Sequence, residues 1–286
     1  MRAKIERQVT FIWVGVVVLF AMLSSVATNA QDFVYVTNSG SDDISAYTID
    51  GTTGALTPVP GSPFPAGPAP LSVAIGPTGK FLYTANNIGS VGSVSAYAID
   101  GTTGALTPMP GSPFPAGYGP FSVVVHPSDK FAYVANAYSN NVSAYTIDGI
   151  TGALTPVLGT PFPAGTSPQS VVVDLSGQFA YVANNSSHDV SAYSVNLTTG
   201  ALNPIAGSPF AAGISPFWMA VDSSGKFAYV ANAFSSNVSA YTIDDTTGAL
   251  TPVPGSPFAA GLAPAAVTTA QGTTIVDRAC RRTNDQ

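Results

Sequence analysis

A phrase of about 48 residues recurs five times along this chain, and it restricts the possible folds more than any other feature. Its copies begin at Phe33, Phe81, Phe131, Phe179 and Phe227, at spacings of 48, 50, 48 and 48 residues. The third copy, residues 131–177, reads FAYVANAYSNNVSAYTIDGITGALTPVLGTPFPAGTSPQSVVVDLSG, and the others match it at most positions. Periods of about 40 to 50 residues belong to solenoids and propellers, and the local pattern chooses between them. Each copy holds four short β-rich runs bounded by turn residues, with no helical period anywhere. The pattern predicts an all-β chain, a β-propeller of four-stranded blades with five repeats visible.

In the third copy the expected strands are B from Phe131 to Ala135, C from Val142 to Ile147, D over Ala153 to Val157, and A of the next blade from Ser170 to Val173. Residues 148–152 join C to D, where glycine admits the positive φ that a tight hairpin needs. Pro156 assigns D to the outer edge, because a proline has no N–H to give a central ladder. The copies start with B, and one more A-like run, Ala265 to Ala270, follows the fifth. Pairing of that run with the first B strand would close five complete blades and remove both open edges. Continuous apolar runs such as Val171-Val172-Val173 suit strands covered on both faces.

Hydrophobic residues make up 45% of the 286 and charged residues only 8%, against about 25% charged in an average soluble domain. Disordered chains pair low hydrophobicity with high charge, so disorder is excluded. A net charge of −6 argues against nucleic acid and anionic membrane surfaces as partners. Cys280 is the only cysteine, which leaves no intrachain disulfide and no cysteine-built zinc site. Residues 1–30 have the order of a signal peptide: Arg2, Lys4 and Arg7, an apolar core from Phe11 to Leu23, and small residues up to Ala30. That core is shorter than the roughly 20 residues of a spanning helix. Export with cleavage after Ala30 is expected, to the periplasm, the cell surface or the medium; the membrane is a partner only if the segment stays uncleaved. Residues 31–272 form the repeat domain and 273–286 a divergent basic tail, where Arg278, Arg281 and Arg282 end an arginine-free stretch running from residue 8 to 277.

Strand B of the first copy is Tyr35-Val36-Thr37-Asn38, and its equivalents end in Asn86, Asn136, Asn184 and Asn232. With the following VSAY, the IDxTTGALTPV turn and the SVVVxPSG segment, residues 32–272 closely resemble the YVTN or lactonase-type β-propeller family, which includes bacterial 6-phosphogluconolactonase-like proteins. The resemblance implies a ring of seven blades and a lactone-hydrolysing activity. This chain departs from it in showing five copies. Hydrolysis of a phosphorylated sugar lactone needs cations, a base and oxyanion stabilisation. The repeats offer no arginine and no glutamate, and their only lysines, Lys80, Lys130 and Lys226, share one position before strand B. No charged catalytic residue of the family maps onto a position of this chain.

Antiparallel order puts the B–C and D–A loops on one side of the ring and the A–B and C–D loops on the other. The D–A loop varies while its framework does not: PAPLS, YGPFS, TSPQS, ISPFW and LAPAA begin at residues 68, 118, 166, 214 and 262. Tyr118, Phe121, Gln169, Phe217 and Trp218 are thereby expected near one mouth of the channel. Aromatic rings with an amide suit a sugar or another small uncharged ligand; the competing reading is that Phe121, Phe217 and Trp218 plug the channel. On the same side lie His188 and Asp189, where a carboxylate beside an imidazole tunes proton transfer, although such a loop pair is commonly a solvated one. His126, Asp174 and Asp222 align at the end of strand A and suit turn capping better than metal binding. No cofactor or metal is implied. The strand-end asparagines recur once per blade and are expected to hydrogen-bond the turn backbone.

Three functions remain in play. The leading one is an exported binding or scaffolding module for a carbohydrate or a cell-envelope protein. The alternatives are an extracytoplasmic lactonase with an altered site, and a piece of a longer repeat surface protein.

Overall fold

The computed structural model describes residues 31–87 and 91–270, all of it strand, turn and loop. Residues 1–30, where a signal peptide is expected, and the basic tail lie outside the described residues.

Blade 3 stands for the others. Its strands are A (Pro120–Val125), B (Phe131–Asn136), C (Asn141–Ile147) and D (Leu154–Pro156), paired antiparallel in that order. The expected D strand is shorter than its apolar run, because Gly159 at φ +89° turns the chain and a two-residue strand, Phe162–Pro163, returns to pair with the other end of C. Blades 2, 4 and 5 repeat the arrangement. Among the described residues blade 1 has no strand A: its sheet consists of Phe33–Asn38, Asp43–Ile49, Leu56–Pro58 and Phe64–Pro65.

The C–D turn forms as its residues dictate. The Asp148 carboxylate accepts the backbone N–H groups of Ile150 and Thr151 and the Thr151 hydroxyl, and Gly152 takes φ +69° to close the hairpin.

The core is a set of separate junctions between blades. The period of two along each strand gives every sheet two apolar faces, and the trailing face of one blade packs on the leading face of the next. Between blades 2 and 3, Tyr83, Ala85, Val94 and Ala96 meet Ala132, Val134, Tyr145 and Leu154. Equivalent clusters join blades 3 to 4, 4 to 5 and 1 to 2. Sandwiched strands are therefore buried on both sides, as Phe131–Asn136 is throughout. Each leucine taken fully out of water stabilises the array by about 1.5–3 kcal/mol.

Two tyrosines pin every junction. The strand-B hydroxyls of Tyr35, Tyr83, Tyr133 and Tyr181 donate forward to the carbonyls of Gly104, Gly152, Gly200 and Gly248. The strand-C hydroxyls of Tyr97, Tyr145, Tyr193 and Tyr241 donate backward to the carbonyls of Pro65, Pro115, Pro163 and Ala211. Around the channel, Ser72, Ser122 and Ser170 each accept a backbone N–H from the next A strand.

The expected pairing of residues 265–270 with the first B strand does not form. Residues 265–270 make no strand; Thr269 instead reaches back to the Val221 carbonyl of blade 5. The first B strand pairs only with its own C strand, and blades 5 and 1 share no packing like that of the other junctions.

Candidate functional site

The mouth on the B–C and D–A side is built by one device repeated with different side chains. Just before the invariant proline, Ala69, Ser167 and Ser215 sit at positive φ, between 47° and 57°. Their N–H groups are held by a side chain from the preceding blade: Asp42 for Ala69, Asn140 for Ser167 and His188 for Ser215. His188 thus occupies a slot filled in other blades by Asp42 and Asn140; its Nδ1 faces both the Ser215 N–H at 3.1 Å and the Asn185 carbonyl at 3.0 Å, and it can accept the first only in the tautomer that does not donate to the second. Asp189 turns the other way, accepting from Asn184 Nδ2 at 2.7 Å and from the Ser187 hydroxyl at 3.1 Å. The positive φ of His188, 62°, separates the two side chains, and the expected proton-transfer pair is not assembled.

The strand-end asparagines also differ from expectation. Asn136 Nδ2 donates to the side chains of Asn141 and Ser143 on strand C, with Asn184 and Asn232 doing the same in their blades. Turn backbone is not their partner; the D–A glycine packs closely over the amide, where a Cβ on Gly165 would meet Asn184 at 2.6 Å, and its N–H goes to the Ser191 hydroxyl.

After the proline each A strand carries a bulge, at Leu71, Phe121, Gln169 and Phe217. Bulges re-aim the extra side chain, and these lie at the mouth. Phe121 and Phe217 come from blades 3 and 5, yet their rings meet edge to face at 5.5 Å across blade 4. Gln169, on the blade between them, is buried; its Nε2 donates to the Ser167 hydroxyl while Oε1 has no partner among the described residues. The two phenylalanines thus meet on this side of the ring.

Trp218 stands where the other blades carry the channel serine. It lines a cavity of about 470 Å³ together with Thr37, Ser72, Ile75, Val124 and Val172, among others, and no lining side chain is charged. Tyr118 lies outside, on the rim. Its carbonyl accepts the N–H of Tyr138, and the Ile214 carbonyl likewise accepts that of Phe234. Tyr138 is 64% exposed and Phe234 81%, so two apolar pairs flank the mouth on blades 3 and 5. In blade 4 the same place holds Thr166 and Ser186. Tyr138 and Phe234 were legible in the sequence as a second variable column, two residues past the strand-end asparagine.

A second cavity, of about 420 Å³, lies at the A–B loops and is lined by His126, Ser128, Lys130 and Ser176 among others. Both nitrogens of His126 are engaged: Nδ1 accepts the Ser128 N–H at 3.0 Å, and Nε2, which then carries the proton, donates to the Gly177 carbonyl at 2.8 Å. Asp174 accepts from Ser176 and from the Phe179 N–H. For Asp222, partial burial opposes ionisation, but hydrogen bonds from Ser224, Lys226 and Phe227 outweigh it and hold the carboxyl below the usual range. These three cap turns, and among the described residues no group of histidine, cysteine and acidic side chains converges as metal ligands do.

The family model described as "Lactonase, 7-bladed beta-propeller" matches residues 24–218 and again residues 91–267. The chain belongs to this lactonase-type propeller family. No curated protein sequence matches it. Among solved structures, a functionally unknown protein from Desulfotomaculum acetoxidans superposes with a TM-score of 0.66 at 18% identity, over 77% of this chain and 65% of that one. The periplasmic gluconolactonase PpgL of Pseudomonas aeruginosa gives 0.63 at 20% identity, over 82% and 69%. Hydrazine synthase of Kuenenia stuttgartiensis gives 0.59 at 19%, over 82% and 73%. At these identities the likeness is one of fold. This lactonase-family chain thus spans about two thirds of the first of these proteins.

Chemically, the mouth of this lactonase-family propeller offers aromatic faces, hydroxyls and amides, with its imidazole and the Asp42 and Asp189 carboxylates committed to structure. That set stacks and hydrogen-bonds uncharged surfaces. Among the described residues it presents no cation to an anionic substrate.

Proposed function

We propose that this lactonase-family propeller is an exported binding or scaffolding module that takes an uncharged ligand, a sugar or the surface of an envelope protein, at the B–C and D–A mouth. One observation carries the reading: exposed apolar pairs flank an opening whose cavity is lined without a single charge. Aromatic residues are the usual anchors of such surfaces, because they bury much area at little entropic cost. Trp218 is the only tryptophan besides Trp13, so after removal of the leader its fluorescence reports the cavity alone. Titration with neutral oligosaccharides and purified envelope proteins is expected to give a saturable change that Trp218→Ala abolishes and Phe234→Ala weakens. Silence across both panels defeats the proposal.

Family membership favours one further reading, an extracytoplasmic lactonase. Its best seat is the A–B cavity, where Lys130 supplies a cation to a lactone carbonyl or carboxylate. A pH-stat assay over sugar lactones decides: hydrolysis above the spontaneous rate that Lys130→Ala removes supports an enzyme, and the spontaneous rate alone removes it.

A further inference from the structure

On the face opposite the B–C and D–A mouth, the A–B loops and C–D turns of adjacent blades frame a recess at their junction, and the repeat allows one recess to be compared with the next. Between blades 3 and 4 it is the cavity of about 420 Å³ at Lys130, within the roughly 300–1,000 Å³ range of small-molecule sites. Between blades 4 and 5 the corresponding recess holds about 190 Å³. Two exchanges at equivalent positions separate them: Lys130 becomes Gln178, and Leu197 becomes Asp245. Between blades 2 and 3 Asp129 reaches across, packs on Gly76 and accepts the Thr78 N–H at 2.8 Å. That carboxylate, next to Lys130 in sequence, is thereby spent on the neighbouring junction.

The cavity between blades 3 and 4 has an apolar wall and one open charge. Leu175 and Leu197, 63% and 52% exposed, form the wall on the blade 4 side. The equivalents of Leu197 are Gly51, Gly101, Gly149 and Asp245, and those of Leu175 are Pro77, Pro127 and Ser223. The wall therefore belongs to this junction and not to the repeat. The other polar side chains are paired within the protein. The Ser128 hydroxyl lies 2.8 Å from His126 Nδ1, His126 Nε2 is held by the Gly177 carbonyl, and the Ser176 hydroxyl is taken by Asp174. The Lys130 ammonium remains, and no carboxylate lines the cavity to pair with it.

We propose that this cavity binds an alkyl carboxylate, with the charge paired to Lys130 and a chain of several carbons laid on Leu175 and Leu197. One cation matches one negative charge, and the net charge of −6 disfavours a dianion. The site shares its cavity with the lactonase reading but breaks no bond, and it is separate from the ligand of the opposite mouth.

Isothermal titration calorimetry of the full chain with octanoate tests the site. Saturable 1:1 binding is expected. Octanol, which keeps the chain and lacks the charge, should bind about threefold or more weakly, and Lys130→Gln should cost octanoate a similar factor, the size of an exposed ion pair. Acetate, which keeps the charge and lacks the chain, should bind about tenfold or more weakly, and Leu197→Asp should cost octanoate as much. Blades 4 and 5 already carry Gln178 and Asp245 at these positions, so both variants are expected to melt with the parent. Lys226→Gln, the same exchange away from the cavity, should leave binding unchanged. Absence of saturable binding, equal affinity for octanol and octanoate, or octanoate binding untouched by both cavity variants overturns the proposal. Octanoate binding that needs Lys130 and Leu197, with sugar lactones hydrolysed only at the spontaneous rate, supports this site while removing the lactonase.

Discussion

The hydroxyl of Tyr133 donates to the carbonyl of Gly200 at 3.0 Å, joining strand B of one blade to the C–D turn of the next. Both groups are buried at a junction whose packing is otherwise apolar. Removing the donor leaves a carbonyl that neither water nor protein satisfies.

Tyr133→Phe is therefore expected to cost roughly 1–2 kcal/mol, a fall of roughly 3–8 °C in melting temperature for a chain of this size. Tyr229→Phe removes the equivalent hydroxyl where no acceptor stands among the described residues, and is expected to leave the melting temperature unchanged. Thermal unfolding by circular dichroism compares the two; equal losses would contradict the junction account.

The same hydroxyls set the alkaline limit. Burial, reinforced by the Asp100 charge, pushes Tyr35 up to about 12. Burial also takes Tyr145 to about 12, against a small opposing effect of Ser143. Tyr83, Tyr133 and Tyr181 are raised further, by burial above all. A raised folded-state value means the unfolded chain ionises first, so this stability is complete below about pH 10 and is lost as the pH climbs through the folded values. Melting temperature should hold to about pH 10 and then fall steeply, with phenolate absorbance appearing together with unfolding. Full tyrosine ionisation before any loss of structure would contradict it.

Much of this was legible from repetition. The five-fold phrase marks every blade, and the Asp-Gly turn and the edge position of Pro156 follow from residue chemistry alone. The tyrosine pins were not legible, because their acceptors are carbonyls of glycine, proline and alanine, which carry no identity along a sequence. Closure misled because the A-like composition of residues 265–270 is a local phrase, whereas pairing them with the first B strand is a long-range contact that no local phrase encodes. His188 and Asp189 misled for a local reason: adjacency in sequence suggested a pair, and one left-handed residue parts them.

Acid acts on the C–D turns. Hydrogen bonds from the Thr151 N–H, the Ile150 N–H and the Thr151 hydroxyl hold the Asp148 carboxyl below its ordinary value, and Asp50, Asp100 and Asp244 are lowered in the same way. Their contribution is present above the ordinary carboxylate range and disappears as the pH falls through the lowered folded values. Blade 4 carries Asn196 at this position and keeps the two backbone bonds. Asp148→Asn should match the parent at pH 7 and lose less on acidification, whereas Asp148→Ala should melt lower at both. If Asp148→Asn is as damaging as Asp148→Ala at pH 7, the turn needs the charge and not merely the acceptor.

His188 separates structure from chemistry most directly. Its Nδ1 faces the Ser215 N–H at 3.1 Å, in the slot where Asn140 accepts that of Ser167 at 2.8 Å, and both residues hold a positive φ. Asparagine tolerates that backbone region and supplies the same acceptor. His188→Asn is accordingly expected to leave the melting temperature within a degree or two of the parent, as for other surface replacements of about 0.5 kcal/mol or less. His188→Ala leaves the Ser215 N–H without its partner and should melt measurably lower. Ligand titration and lactone hydrolysis on His188→Asn complete the test. Unchanged behaviour places the imidazole outside the chemistry of this mouth, and a selective loss of hydrolysis with stability intact would restore it as a proton-transfer group.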